Sequence, residues 1–135
     1  MASKIYSLDT NAILRVILND IPEQRDIVTL LISRRQDYFR VHDLAISEAV
    51  YVMERQLGRK RQNFIADLVD FLKFPSILYN SDIIDPSLHL YLSHPKLSFN
   101  DCYLAVKSEQ TDSTPLLTFD KKLSTQLTHT KYLGK

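Results

Sequence analysis

Short apolar runs that alternate with segments of helical period constrain this chain's fold more than any other feature. Ile5 to Leu8, Tyr38 to Val41, Ile77 to Tyr79 and Leu116 to Phe119 read as strands, and Lys131 to Leu133 as a last edge strand. Between them, Ile13, Leu14, Ile17 and Leu18 repeat at helical spacing, and Ile27, Leu30 and Leu31 mark a second helix ending near Arg34 and Arg35. A long helix is expected from about Leu44 to Leu57, broken at Gly58, and another carries Phe64, Ile65, Leu68, Val69 and Leu72 to a stop at Pro75. Pro86 to Leu92 reads as a short helix, Phe99, Cys102, Tyr103 and Val106 line the inner face of another, and Lys121 to Leu127 is a brief last one. Strands that alternate with helices argue for an α/β sandwich, a mainly parallel sheet covered on both faces. A chain of 135 residues supplies one such domain, expected over residues 1–135.

Composition narrows the function. Only two glycines occur, Gly58 and Gly134, so no Gly-rich loop can bring backbone amides onto a phosphate, and Walker and Rossmann nucleotide enzymes are excluded. The single cysteine, Cys102, rules out an internal disulfide and a Cys-based zinc site, and fits a reducing compartment such as the cytoplasm. His42, His89, His94 and His129 lack zinc-ligand spacing. No run is long and apolar enough to span a bilayer, and no signal peptide is expected, because Asp9 closes the first apolar stretch too early. With 17 basic and 16 acidic residues, net charge +1, any nucleic-acid contact must come from a local patch.

The chemistry lies in the acids. Asp9 follows a strand and precedes a helix, and Asp120 in LLTFDKKL repeats that grammar; taken alone, each is explained as an N-cap. Asp101 stands three residues after Ser98, the spacing of a capping box. Glu48 is different: it falls inside a helix with Leu44, Ala45, Tyr51 and Val52 at three and four residues' distance, and an unpaired carboxylate on an apolar face is costly to bury. Glu54 competes with it but lies about 9 Å further along the helix, at ~1.5 Å per residue. In parallel sheets ligands sit at the carboxyl ends of the strands, where Asp9 and Asp120 are expected. If these acids converge, their mutual repulsion calls for a cation, and all-oxygen ligands suit Mg²⁺ or Mn²⁺. Such a metal would activate water for hydrolysis of a phosphodiester.

The order of Asp9-Thr10-Asn11 after the first strand, Glu48 in the helix after the second, Asp101 near the start of a later helix, and TFD ending at Asp120 resembles the PIN-domain nucleases, most closely the VapC-type toxins of toxin–antitoxin pairs. The resemblance covers essentially the whole chain. It implies a three-layer α/β/α sandwich and a metal-dependent endoribonuclease with Asp9, Glu48, Asp101 and Asp120 as the catalytic acids. Asp9 and Asp101 would be metal ligands, Glu48 a ligand or water-orienting group, Asp120 a ligand directly or through water, and Asn11 and Thr118 supporting groups. It further implies Mg²⁺ or Mn²⁺, a transfer or ribosomal RNA substrate, a homodimer, and a cognate antitoxin that blocks the site. Asn100 and Cys102 flank Asp101 where small residues such as alanine are common in the family.

Other features are ambiguous in sequence. Arg55, Arg59, Lys60 and Arg61, in RQLGRKRQ, form either a solvated turn or a phosphate-contacting patch. Tyr6, Tyr38, Tyr51, Tyr79, Tyr91 and Tyr103 fall mostly on apolar faces, which favours core packing over base stacking. Two competing functions remain. A phosphotransfer protein of the receiver or haloacid-dehalogenase kind needs an early paired acid or a DxD, and position 11 is asparagine. A PIN-like scaffold, or a solitary PIN nuclease without an antitoxin, would use the same fold.

Overall fold

Alternation of strand and helix is what the chain adopts. A computed structural model describes residues 3–135, which divide into two compact units meeting between Asn80 and Ser81.

The first unit holds β1 (Ile5–Ser7), α1 (Thr10–Leu18), α2 (Pro22–Ser33), β2 (Tyr38–Arg40), α3 (Asp43–Tyr51), α4 (Arg61–Leu72) and β3 (Ile77–Leu78). Its strands pair in the order β1-β2-β3, all parallel, with Ser7 opposite Arg40 and Arg40 opposite Leu78. Phe39 turns inward and stacks with Tyr6, while Tyr38 and Arg40 point outward, the alternation a pleat imposes. The core is filled by Ile13, Leu14 and Ile17 from α1, Ala45, Ile46, Ala49 and Val50 from α3, and Phe64, Ile65, Leu68, Phe71 and Leu72 from α4. Ser76, itself buried, donates its hydroxyl to the Ile32 carbonyl at 2.6 Å and ties the end of α2 to the approach to β3.

The expected long helix after β2 is two pieces. α3 runs to Tyr51, and Val52–Gln56 continue it as a π-helical turn, with Leu57 N–H reaching the Val52 carbonyl. Gly58 then adopts φ +62°, a left-handed conformation that glycine takes without Cβ strain, and Arg59 N–H closes onto the Met53 carbonyl.

The second unit holds α5 (Ser81–Ser93), α6 (Phe99–Gln110), β4 (Leu116–Thr118), α7 (Lys121–Gln126) and β5 (Thr130–Tyr132). β4 and β5 pair in parallel as a separate ladder, so the strands expected in one sheet form two among the described residues. Ile83, Ile84, Leu88, Tyr91, Leu97, Phe99 and Cys102 make its core. α5 begins five residues before the proline expected to open it. Pro86 sits inside the helix, where its missing N–H leaves the Asp82 carbonyl without its usual partner, and the Gln110 side-chain amide donates to that carbonyl instead.

Candidate active site

Two of the four acids lie in each unit; Asp9, Asp101 and Asp120 cap helices, and Glu48 lies inside α3. Asp9 caps α1: one oxygen, Oδ1, accepts the Ala12 N–H at 2.9 Å. Thr10, the first residue of α1, donates its hydroxyl to Oε2 of Glu48 at 2.7 Å, so the first turn of one helix fixes both carboxylates of this unit. In the second unit, Asp101 and Ser98 form the full capping box, Asp101 Oδ2 accepting Ser98 N–H at 3.2 Å and Ser98 Oγ accepting Asp101 N–H at 3.1 Å. Asp120 caps α7 with Oδ1, which takes the N–H groups of Lys122 and Leu123 at 2.9 and 3.4 Å. Thr118 supports it, its hydroxyl accepting Asp120 N–H at 2.9 Å.

Capping and ligation are therefore compatible. In every one of the four carboxylates a single oxygen is engaged, and the other has no partner among the described residues. The engaged oxygen holds the group in place, and the free one can accept from a cation or a water. Among the described residues no three His, Cys, Asp or Glu side chains are grouped closely enough to hold a metal ion.

Several expectations need correcting. Glu48 is exposed, not set on a buried apolar face: Leu44 and Tyr51 beside it are 69% and 58% exposed, and the buried stripe of α3 is Ala45, Ile46, Ala49 and Val50. Asn11 is exposed in the first turn of α1, and the supporting hydroxyl is that of its neighbour Thr10. Arg61 is no part of an exposed basic patch. Its guanidinium pairs with Glu54, with side chains only 17% and 22% exposed, whereas Arg55, Arg59 and Lys60 stay exposed on the turn. Among the six tyrosines assigned to the core, Tyr91 is fully buried, but Tyr6, Tyr38 and Tyr51 are 45%, 42% and 58% exposed.

The family profile described as the PIN domain matches residues 6–126. The chain belongs to the PIN-domain family. PIN domains are generally nucleases that use divalent metal ions, and the α/β/α class expected from the sequence is the fold of that family. No curated protein matches the chain. Among solved structures, VapBC2 from Rickettsia felis, bound to a DNA fragment from its promoter, is similar at 18% identity and a TM-score of 0.41, over 90% of this chain and 92% of that one. A likeness that loose carries no argument about function. The PIN-domain match spans all four acids, and no helix among the described residues is long and apolar enough to cross a membrane.

Proposed function

We propose that this PIN domain is a divalent-metal-dependent endoribonuclease, with Asp9, Glu48, Asp101 and Asp120 as its acids. The observation that carries the reading is the half-engaged state of all four carboxylates, each pinned through one oxygen and free at the other. Free carboxylate oxygens are hard donors, which suit Mg²⁺ or Mn²⁺ over softer metals. When bound, the metal supplies charge neutralisation at the phosphodiester and a more acidic water. The residues of the chain do the rest. Thr10 and the amides of α1 hold Glu48 and Asp9 at fixed positions, so little reorganisation is needed on binding. The Ser98 N–H does the same for Asp101, and the Lys122 and Leu123 N–H groups for Asp120. Arg55, Arg59 and Lys60 offer cations to the RNA backbone outside the acids.

The proposal includes one domain spanning both units, a homodimer, a transfer or ribosomal RNA substrate, and a VapC-type role as the toxin inhibited by a cognate antitoxin. These rest on the order of the acids in the sequence and on the family. The competing reading, a scaffold whose acids only cap helices, draws on the same capping bonds. RNA cleavage separates them. The wild type should cut structured RNA with Mg²⁺ or Mn²⁺ and not in EDTA, and Asp9→Asn, Glu48→Gln, Asp101→Asn and Asp120→Asn should each abolish cutting while leaving the fold intact. Metal-independent cutting, or full activity in Asp9→Asn, would remove the proposal.

A further inference from the structure

The carboxyl edge of the three-stranded sheet carries polar groups that the four acids do not use. Parallel register puts Ser7, Arg40 and Leu78 side by side at the ends of their strands, so Asp9, His42 and Asn80 all leave the sheet on one edge. Leu8 N–H donates to the Arg40 carbonyl at 3.0 Å, which places Asp9 one residue past the last ladder bond with β2. On this edge lies an open cleft of about 350 Å³, lined by Arg40, Val41, His42, Asp43, Tyr79 and Asn80. That size is at the lower end of the range for small-molecule sites, roughly 300–1,000 Å³.

The lining is unevenly satisfied. The guanidinium of Arg40 and the carboxamide of Asn80 have no partner among the described residues, and both side chains are exposed. The His42 ring is oriented by Ser7, Oγ to Nε2 at 2.9 Å, and its side chain gives α3 no cap. Arg40 therefore offers a planar fork of donors with nothing to receive them, a group that fits phosphate oxygens. Asp43, itself engaged within the protein, adds an acceptor, and Asn80 is both donor and acceptor. A bare anion would meet Asp43 as a repelling charge. The ligand that fits presents an anion at one end and hydrogen-bond donors at the other, with an apolar body for the Tyr79 ring.

We propose that this cleft is a nucleotide subsite, seating one ribonucleotide of the RNA on the sheet edge from which Asp9 also leaves, with its phosphate on Arg40 and its ribose or base edge on Asp43 and Asn80. The inference rests on the nuclease reading above, but it can be tested without cleavage. The four 5′-ribonucleoside monophosphates are titrated into the full-length protein in EDTA, followed by calorimetry or amide chemical shifts, with inorganic phosphate as the comparison ligand. At least one nucleotide should bind more tightly than phosphate and perturb the amides around Arg40 and Asn80. Arg40→Ala should weaken it about tenfold or more, as expected for a charged hydrogen bond, and Asn80→Ala should weaken it less. No binding by any of the four, binding undiminished in Arg40→Ala, or phosphate binding as tightly as every nucleotide would overturn the subsite. Because no metal is present, nucleotide binding by a protein that cuts no RNA would sink the nuclease reading alone, and cleavage without nucleotide binding would sink the subsite alone.

Discussion

Asp9 allows capping to be measured apart from ligation. Its Oδ1 accepts one amide, that of Ala12 at 2.9 Å, and among the described residues the carboxylate makes no ion pair. Replacing an N-cap Asp by Ala costs typically ~1 kcal/mol, whereas Asn caps about as well as Asp. Unfolding entropy of about 2.1 cal/mol/K per residue makes 1 kcal/mol worth roughly 3–4 °C in Tm for a chain of this length. In EDTA, Asp9→Ala should therefore unfold about 3–4 °C below the wild type, and Asp9→Asn within about 1 °C of it. Asp120, which accepts two amides, should show the same pattern with an Ala cost at least as large. Differential scanning calorimetry on metal-free protein reads both. The reasoning fails if Asn lowers Tm as much as Ala, because the carboxylate would then be stabilising through its charge and not through the bond to Ala12.

Further outcomes follow from particular contacts. Thr10→Val removes the hydroxyl that holds Glu48 and should weaken Mn²⁺ binding by about tenfold, the low end for an outer-shell partner, with little change in metal-free Tm; unchanged affinity would show that Glu48 needs no such support. Arg61→Ala should cost about 1–2 kcal/mol, between an exposed and a buried ion pair, and leave the salt dependence of RNA binding alone. Replacing Arg55, Arg59 and Lys60 together should lower the slope of log K against log salt by about 2, at ~0.7 per phosphate contact on single strands; an unaltered slope would make that turn a solvated loop. Gln110→Ala should cost about 0.5–1 kcal/mol by uncovering the Asp82 carbonyl, and the loss should vanish in a P86A background, where a restored amide N–H takes that carbonyl.

The parts of this molecule legible in sequence are those set by local rules. Strand, acid, helix reads directly as a cap at Asp9 and Asp120, and Ser98-x-x-Asp101 as a capping box, because the bonds involved span two or three residues. What tertiary packing decides was not legible. Which stripe of α3 turns inward depends on α1, and the small residues Ala45 and Ala49 pack there while Leu44 and Tyr51 stay outside. The π-helical turn after Tyr51 has no periodic signature, since one extra residue is absorbed before Gly58. Pro86 misplaced the start of α5 because the residue that compensates for it, Gln110, is on another helix. Arg61 looks like its basic neighbours in sequence, and its contact with Glu54, seven residues earlier, sets it apart. Arg40 and His42 lie at the end of β2 and Asn80 past the end of β3, and nothing in the sequence joins the two before the register does.

The central proposal is that Asp9, Glu48, Asp101 and Asp120 each use a free carboxylate oxygen in binding a divalent cation. Thermal unfolding of the wild type and of Asp9→Asn, Glu48→Gln, Asp101→Asn and Asp120→Asn across a Mn²⁺ series tests it most directly, without any knowledge of the substrate. At 100 times the dissociation constant the wild type should gain about 2.7 kcal/mol, and each substitution should remove most of that gain. A wild-type unfolding temperature that stays flat through millimolar Mn²⁺, or a gain that survives in the Asp9→Asn and Asp101→Asn variants, would contradict cation binding by these acids and leave Asp9, Asp101 and Asp120 as helix caps.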